Sequence, residues 1–255
     1  MGQIATIKEI KQLLQQTDDE KAAAPFREDG RRGVQAELKK FDRKIKQKQN
    51  EQDLWQEMSR YECELHDYSY IAGVDEVGRG PLAGGVTAAA VILPEGTYLP
   101  GLNDSKKIPK VKREQLFEEI SSCAFVGIGS CTPEEIDTYN IYEASKKAML
   151  RAVQELPVQP DYLLVDAMTL PVEINQMNLI KGDARSVSIA AASVVAKVTR
   201  DREMCELDRI YPGYGFKANA GYGTSEHLEA LERLGPTPSH RRSFSPVRER
   251  MHSKS

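Results

Sequence analysis

The first 70 residues distribute apolar and polar positions with the period of a helix. Apolar side chains recur three or four residues apart among many glutamines, lysines and glutamates. That spacing places the apolar side chains on one helix face, and the β-branched runs typical of strands are almost absent. The segment therefore predicts two or more amphipathic helices, broken around residues 25–33. Their apolar positions are Ile4, Ile7, Ile10, Leu14, Val34, Leu38, Phe41 and Ile45.

From residue 70 onward, short apolar runs bounded by glycine and proline replace the helical pattern. Such runs are typical of strands, so the change predicts a mixed α and β domain. Thr132 to Glu135 form a capping-box sequence with proline at the first helical position, which predicts a helix to about residue 155. The other predicted helices cover residues 188–207 and 225–234. The predicted strands cover residues 70–74, 86–93, 125–129, 162–166 and 176–180.

Composition narrows the possible functions. The 255 residues carry 35 basic and 38 acidic side chains, a net charge of −3. This balance lacks the strong basicity of many nucleic-acid-binding domains, so a polyanionic partner would need a local basic patch or a bound cation. No apolar run approaches about 18 residues, and the N-terminus has no apolar secretion segment. We therefore expect a cytoplasmic protein without a membrane partner. Its four widely spaced cysteines are expected to be reduced thiols.

One basic stretch supplies such a local patch. Residues 31–48 contain eight basic and two acidic side chains, a local charge of +6. The charges fit a solvated helix face, and they equally fit an arm that contacts phosphates. The sequence alone leaves both interpretations open.

Acidic residues lie at the ends of two predicted strands. Asp75 and Glu76 are adjacent, and like charges about 4 Å apart repel by roughly 4 kcal/mol at an effective dielectric of 20. Asp166 closes a second strand, and Asp183 precedes the long helix. If the two strands are neighbours, the four carboxylates meet and can hold two divalent cations suited to phosphoryl transfer. Because strand side chains alternate between faces, we expect a bend to bring Asp75 and Glu76 together. The alternative is ordinary strand-end acids in salt bridges or caps.

Two other chemistries find little support. Residues 78–83 formally match the Gly-x-Gly-x-x-Ala fingerprint of dinucleotide-binding proteins. The preceding acids would repel a pyrophosphate, and a strand-like segment follows where the fingerprint requires a helix. There is also no Gly-x-Ser-x-Gly elbow for a serine hydrolase. We therefore expect no small-molecule organic cofactor.

Seven segments in order resemble the bacterial type 2 ribonuclease H family, whose members cut the RNA strand of RNA–DNA hybrids. The resemblance covers residues 70 to about 247. It implies an α/β fold with a ribonuclease H-like mixed β-sheet flanked by helices, a helical C-terminal region and, outside the match, a helical N-terminal extension. The segments are residues 71–84 (IAGVDEVGRGPLAG), 102–107 (LNDSKK), 163–167 (LLVDA), 181–183 (KGD), 188–202 (SIAAASVVAKVTRDR), 221–224 (GYGT) and 235–244 (GPTPSHRRSF).

The resemblance assigns roles to particular side chains. Asp75, Glu76, Asp166 and Asp183 become the catalytic, metal-binding acids for two Mn²⁺ or Mg²⁺ ions, with Asp75 expected to bridge them. Gly78, Arg79 and Gly80 become the group that recognises a ribonucleotide's 2′-hydroxyl, which distinguishes RNA from DNA. Tyr222 becomes the aromatic ring that stacks on the sugar at the RNA-to-DNA step.

Several polar residues are candidates for phosphate contact, with plain solvation as the alternative. The start of one predicted helix, where backbone N–H groups favour anions, carries Lys106, Lys107, Lys110, Lys112 and Arg113. Ser193 and Lys197 share one face of the long helix. A third group is His240, Arg241 and Arg242 in the C-terminal segment. His227 is interpreted as a helix-surface residue in preference to a proton donor.

The predicted reaction is hydrolysis at the 5′ side of a ribonucleotide, leaving 3′-hydroxyl and 5′-phosphate ends. The expected partners are RNA–DNA hybrids and DNA containing ribonucleotides, with a replication or repair protein as a further partner for the N-terminal extension. The predicted domains are an extension at residues 1–69, a catalytic core at 70–208 and a substrate-binding region at 209–255. Two alternatives stay open, a type 3 ribonuclease H and a non-catalytic hybrid-binding module.

Overall fold

A computed structural model of the chain describes residues 5–252, so the predicted apolar position Ile4 lies outside the described residues. The chain divides into two compact units between Gln56 and Glu57. The predicted boundary between residues 69 and 70 stays a prediction. No helix within the described residues is long and apolar enough to cross a membrane.

The N-terminal unit is helical, as its sequence pattern predicts. Its helices are α1 (Ile7–Gln16), α2 (Glu20–Ala23), a short 3-10 helix (Ala24–Phe26) and α3 (Arg32–Met58), which extends past the boundary of the unit. A capping box between Thr6 and Glu9 starts α1, because each residue bonds the other's backbone N–H. Most of the predicted apolar face forms a small core, made of Ile10, Leu14, Val34, Leu38 and Phe41 together with Ala23. Ile45 packs against this core, whereas the predicted position Ile7 is exposed.

The basic stretch of this unit is partly neutralised by ion pairs. Lys44 and Lys48 both contact Asp18, at 2.7 and 2.6 Å, and Arg31 contacts Asp29 at 2.6 Å. These pairs lower the local charge available to a phosphate backbone. Phosphate contact by this stretch, and docking of a replication or repair protein on the extension, stay predictions.

The larger unit is built around a mixed five-stranded sheet, which confirms the predicted fold class. The strand order is β3-β2-β1-β4-β5. β1 pairs antiparallel with β2 and parallel with β4, so the two strands that end in acids are neighbours. The strands are β1 (Ile71–Val77), β2 (Val86–Ile92), β3 (Phe125–Cys131), β4 (Tyr162–Asp166) and β5 (Asn175–Leu179).

Helices cover both faces of the sheet. α6 (Pro133–Gln154) packs on β2 and β3, and α7 (Val187–Ile210) packs mainly on β1 and β2. Each helix approaches the sheet closely at a glycine. A Cβ added to Gly129 would lie 2.3 Å from the Ala148 carbonyl oxygen of α6, and one added to Gly73 would lie 2.0 Å from the Ser188 carbonyl carbon of α7. α4 (Arg60–Glu64) precedes the sheet, and α5 (Lys110–Cys123) packs on α7.

The C-terminal region is helical and has a core of its own. Its helices are α8 (Phe216–Asn219), α9 (Ser225–Leu234) and α10 (Ser245–His252). Leu82 and Ala83, which follow β1, join this core, so the region packs directly behind the loop after β1. The other buried members of the core are Met204, Tyr214, Phe216, Ala230, Leu231 and Val247.

Candidate active site

The parallel pairing of β1 with β4 brings together acids that are about 90 positions apart in the sequence. Val74 lies opposite Val165 in the register, so the next residues of the two strands, Asp75 and Asp166, lie side by side. Asp75, Glu76 and Asp166 each place a carboxylate oxygen within 4.8 Å of the other two. Three of the four predicted acids therefore form one cluster at the carboxyl end of these strands.

Asp75 and Glu76 lie in one cluster within a strand whose pairing is unbroken, and the predicted bend between them stays a prediction. β1 stays paired with β2 through Val77, which lies opposite Thr87. The two acids nevertheless share the strand end, and the Glu76 backbone N–H donates to Asp75 Oδ1 at 2.7 Å. The left-handed backbone comes one residue after the strand, at Gly78, with φ of +94°.

Burial and mutual repulsion make this cluster costly when it is ionised. Burial raises the pKa of Asp75 well above its usual range, and the charges on Glu76 and Asp166 add to the shift. Burial also raises the pKa of Glu76 to about 7, although Arg79 opposes that shift. The pKa of Asp166 is raised by burial as well, against the backbone N–H of Gly182, which donates to its Oδ1 at 2.6 Å.

The donor set fits a hard divalent cation. Glu76 Oε2 is a buried carboxylate oxygen that has no hydrogen-bond partner among the described residues. Unpartnered buried polar atoms are rare in folded proteins and call for an explanation. Mg²⁺ and Mn²⁺ prefer carboxylate oxygens, and a cation would satisfy Glu76 and offset the repulsion. The residues present at this strand end therefore fit divalent metal ions.

Asp183 lies beside this cluster and outside the group of three. It is buried in a short 3-10 helix (Gly182–Ala184), and its charge contributes to the raised pKa of Asp75. Its Oδ2 lies 4.0 Å from Lys106 Nζ. The pKa of Asp183 is itself raised, first by burial and then by the charge of Asp104. Asp104 is thus a further acid of this site. The sequence did not point to it, because it lies in a loop segment of turn-forming residues, where an aspartate is ordinary.

The Ser193 side chain lies beside the acids, which the amino-acid sequence does not show. Its side chain is buried, and its hydrogen bond to Asp75 counters the raised pKa of that carboxyl. The buried Ser105 hydroxyl lies 2.8 Å from the Ser193 hydroxyl and shares a hydrogen bond with it. Contact of Ser193 with substrate stays a prediction.

The three predicted lysines lie at different distances from the acids. Both Lys106 and Lys107 are exposed, and Lys106 Nζ lies 4.0 Å from Asp183 Oδ2. The predicted helix start is confirmed for Lys110, Lys112 and Arg113, because α5 begins at Lys110. It is wrong for Lys106 and Lys107, which lie in the turn before α5. Lys197 Nζ donates to Asp201 Oδ1 at 2.6 Å on the same helix. Phosphate contact by these side chains stays a prediction.

Of the predicted ribose-recognition residues, Arg79 and Gly80 are exposed next to the acids, whereas Gly78 is buried. Arg79 Nη1 lies 3.4 Å from Glu76 Oε1, and the Arg79 side chain is 42% exposed. Tyr222 is 49% exposed, and a Cβ built on Gly80 would meet its ring at 3.3 Å. Glycine at position 80 therefore lets the loop approach the tyrosine closely. At Gly78, a Cβ would lie 2.2 Å from Arg200 Nε, so only glycine fits there.

Two buried arginines hold this loop from behind. Arg241 is fully buried and donates to the carbonyl oxygens of Gly78, Arg79, Gly84 and Gly85. The interpretation of Arg241 as a phosphate contact is wrong, because the side chain is buried and four of its five N–H groups donate to the backbone. Arg200, 1% exposed, donates to Ala83, Gly85 and Ala220 in the same way. A buried arginine leaves no sequence signal, since this residue type is normally exposed.

His227 and His240 are also buried, at 0% and 1% exposure. The interpretation of His227 as a helix-surface residue is therefore wrong. Its place in the first turn of α9 faces the C-terminal core, where it meets His240. Phosphate contact by His240 is excluded by the same burial.

Comparison with known proteins identifies the same two segments. The family model for ribonuclease HII matches residues 72–247, and the model for the ribonuclease HII N-terminal domain matches residues 6–66. A ribonuclease HII from Geobacillus sp. (strain WCH70) is 55% identical over 255 residues, covering 98% of this chain and 92% of that protein.

Solved structures agree on the fold. The crystal structure of ribonuclease H2 from Pyrococcus horikoshii OT3 matches with a TM-score of 0.62 and 27% identity, covering 72% of this chain and 98% of that one. Bst ribonuclease HIII, crystallised in complex with Mn²⁺, shares the fold with a TM-score of 0.59 at 17% identity, covering 72% and 70% of the two chains. With its acids gathered at the strand ends and both of its segments matched, this chain belongs to the ribonuclease HII family.

Proposed function

We propose that this chain hydrolyses the RNA strand of RNA–DNA hybrids and incises DNA at the 5′ side of an embedded ribonucleotide. The products are 3′-hydroxyl and 5′-phosphate ends. The observation that carries the proposal is the cluster of Asp75, Glu76 and Asp166, with oxygens within 4.8 Å of one another. It lies beside a glycine-rich loop that exposes Arg79 and Gly80. Membership of the ribonuclease HII family supports the same reaction.

Asp75, Glu76, Asp166 and Asp183 are the residues that would hold two divalent ions, Mn²⁺ or Mg²⁺. Two such ions supply an activated water and stabilise the leaving oxygen in an in-line displacement. The Glu76 backbone N–H donates to Asp75 and the Gly182 backbone N–H donates to Asp166, so both acids are oriented before substrate arrives. Ser193 favours the ionised form of Asp75. Lys106, close to Asp183, adds a positive charge at the edge where a phosphate would lie.

The loop of Gly78, Arg79 and Gly80 is proposed to recognise the 2′-hydroxyl of the ribonucleotide. Arg241 binds the carbonyl oxygens of Gly78 and Arg79, which turns that side of the loop toward the protein. The small glycines let the backbone approach the sugar closely. Tyr222, against Gly80, would stack on the sugar at the RNA-to-DNA step. Substrate binding would then lie partly in the C-terminal region, at residues 209–255.

A cleavage assay with a metal titration tests the proposal. The substrates are a uniform RNA–DNA hybrid, a DNA duplex with one ribonucleotide and an all-DNA duplex. We expect cleavage of the first two in Mn²⁺ or Mg²⁺, with incision at the 5′ side of the single ribonucleotide. Cleavage of the hybrid alone would favour a type 3 enzyme, and binding without cleavage at every metal concentration would favour a non-catalytic module.

The Asp75→Asn variant is the matched control for this assay. Asn keeps the acceptor for the Glu76 backbone N–H but removes one charge from the cluster. We expect hybrid binding to remain and cleavage to be lost. Full cleavage by this variant in Mn²⁺ would contradict the assignment of Asp75.

A further inference from the structure

A pair of buried histidines lies directly behind Tyr222. His227 Nε2 and His240 Nε2 are 3.1 Å apart, and His227 Nδ1 lies 2.8 Å from the Tyr222 carbonyl oxygen. The rings of Tyr214 and Phe216 enclose the pair, with centroids 5.1 to 6.2 Å from those of the histidines. A histidine buried among apolar rings destabilises the fold unless both of its ring nitrogens have hydrogen-bond partners.

Only one arrangement of protons satisfies every hydrogen bond of the pair. The Thr237 backbone N–H can only donate, and it lies 2.9 Å from His240 Nδ1, so this nitrogen accepts. A neutral His240 then carries its proton on Nε2 and donates to His227 Nε2. His227 in turn carries its proton on Nδ1 and donates to the Tyr222 carbonyl oxygen. The hydrogen bonds therefore run in one direction, from Thr237 to Tyr222.

Burial keeps both rings neutral, as this chain of bonds requires. Burial lowers the pKa of His227, and burial together with the neighbouring His227 lowers the pKa of His240 to about 4. A further proton would place two N–H groups face to face, either between the rings or between His240 and Thr237.

The hydrogen bond from His227 ends at the backbone of Tyr222, whose ring lies on the proposed substrate-binding surface. The Tyr222 carbonyl oxygen accepts from His227 and also from the Thr224 backbone N–H at 2.8 Å. The carbonyl oxygen of the preceding Gly221 accepts from the Leu82 backbone N–H at 2.8 Å. These bonds fix the turn that presents the Tyr222 ring against Gly80.

We infer that His227 and His240 are positioning residues, which hold Tyr222 in register with Gly80 and thereby favour cleavage at a single ribonucleotide within DNA. The inference rests on the proposed function, in which Tyr222 stacks at the RNA-to-DNA step. A single ribonucleotide offers one such step and few other ribose contacts, whereas a uniform hybrid offers many 2′-hydroxyls. Loosening Tyr222 therefore costs more on the single-ribonucleotide substrate than on the hybrid.

The proton positions are tested on the wild-type protein by nitrogen-15 NMR of the histidine rings at neutral pH. We expect His227 to be protonated on Nδ1 and His240 on Nε2. Protonation of His227 on Nε2 would overturn the inference, because its Nδ1 could then not donate to Tyr222. This measurement needs no variant to fold and no enzymatic activity.

Two substitutions of His227 separate its two bonds. His227→Asn places an amide N–H where Nδ1 lies and keeps the donor to Tyr222, whereas His227→Gln reaches only the Nε2 position and keeps the contact with His240. We expect His227→Gln to lower kcat/KM on the single-ribonucleotide duplex about five- to tenfold relative to His227→Asn, the effect of one hydrogen bond. On the uniform hybrid, the two variants should differ less than twofold. Thermal melting of both variants is the control that they are equally folded.

The same pair of substitutions in a Tyr222→Ala background completes the test. We expect the difference between Asn and Gln to vanish there, because no ring remains to be positioned. A difference that persists would show that His227 acts on the fold and not through Tyr222, and equal kcat/KM with Tyr222 present would equally overturn the inference. Failure of the proposed function looks different, since wild-type protein would then cleave neither substrate while the NMR result stands.

Discussion

Replacing Asp75 by Asn should stabilise the metal-free protein while removing its response to divalent cations. In the wild-type cluster each pair of carboxylate oxygens lies within 4.8 Å. At an effective dielectric of 20, two charges at that distance repel by about 3.5 kcal/mol. At pH 8 Glu76, with a pKa of about 7, is mostly ionised. Folding of the wild type then either places a second charge beside it at Asp75 or requires Asp75 to take up a proton, and the neutral amide avoids both costs.

The expected gain of about 3 kcal/mol corresponds to a rise in Tm of about 6–12 °C, at roughly 2–4 °C per kcal/mol for a domain of this size. Asn retains the hydrogen bond from the Glu76 backbone N–H, so the change removes charge with little loss of packing. Because burial raises the pKa of Asp75 in the folded state, its ionisation opposes folding, and the gain should grow as pH rises.

Thermal melting at pH 8 in EDTA and in excess Mn²⁺ measures both effects. A cation present at about 100 times its Kd stabilises the folded state by about 2.7 kcal/mol, and this increment should appear in wild type and be strongly reduced in Asp75→Asn. The exposed Glu95 supplies a control, since Glu95→Gln should change stability by less than about 0.5 kcal/mol. Melting of Asp75→Asn below wild type in EDTA, or an equal response of both proteins to Mn²⁺, would refute the reasoning.

Three further predictions concern stability. Arg241→Met should destabilise the fold by more than about 2 kcal/mol in urea unfolding, because four backbone carbonyls lose their buried donor, whereas Arg242→Met at the exposed neighbour should have little effect. Gly129→Ala should cost at least about 2 kcal/mol, since its Cβ would meet the α6 backbone at 2.3 Å, while Gly30→Ala, with open space around it, should be near neutral. His240 has a folded pKa of about 4 against 6.5 for an ordinary histidine, so its contribution to stability is present above pH 6.5 and is lost as pH falls toward 4. Unfolding free energies between pH 4 and 7 should therefore fall less steeply with acidification in His240→Gln than in wild type, and parallel curves would contradict this assignment.

Much of the site could be predicted from the sequence, because its signals are local. Asp75, Glu76 and Asp166 stand at the ends of apolar strands, where a carboxylate is costly unless something offsets it. The helical spacing from Ile10 to Phe41 likewise predicted the N-terminal core, since one helix face depends on nearby residues only.

The tertiary structure decided what depends on residues distant in sequence. That β1 and β4 are parallel neighbours, which turns isolated acids into one cluster, depends on the pairing of strands about 90 residues apart. Arg241 bonds carbonyls more than 150 positions away, and His240 lies 13 positions from His227. For arginine and histidine the sequence favours exposure, because burying a polar group is costly until partners exist. Only the folded chain brings those partners together. The sequence therefore predicted these residues at the surface, whereas in the structure they are buried behind the site.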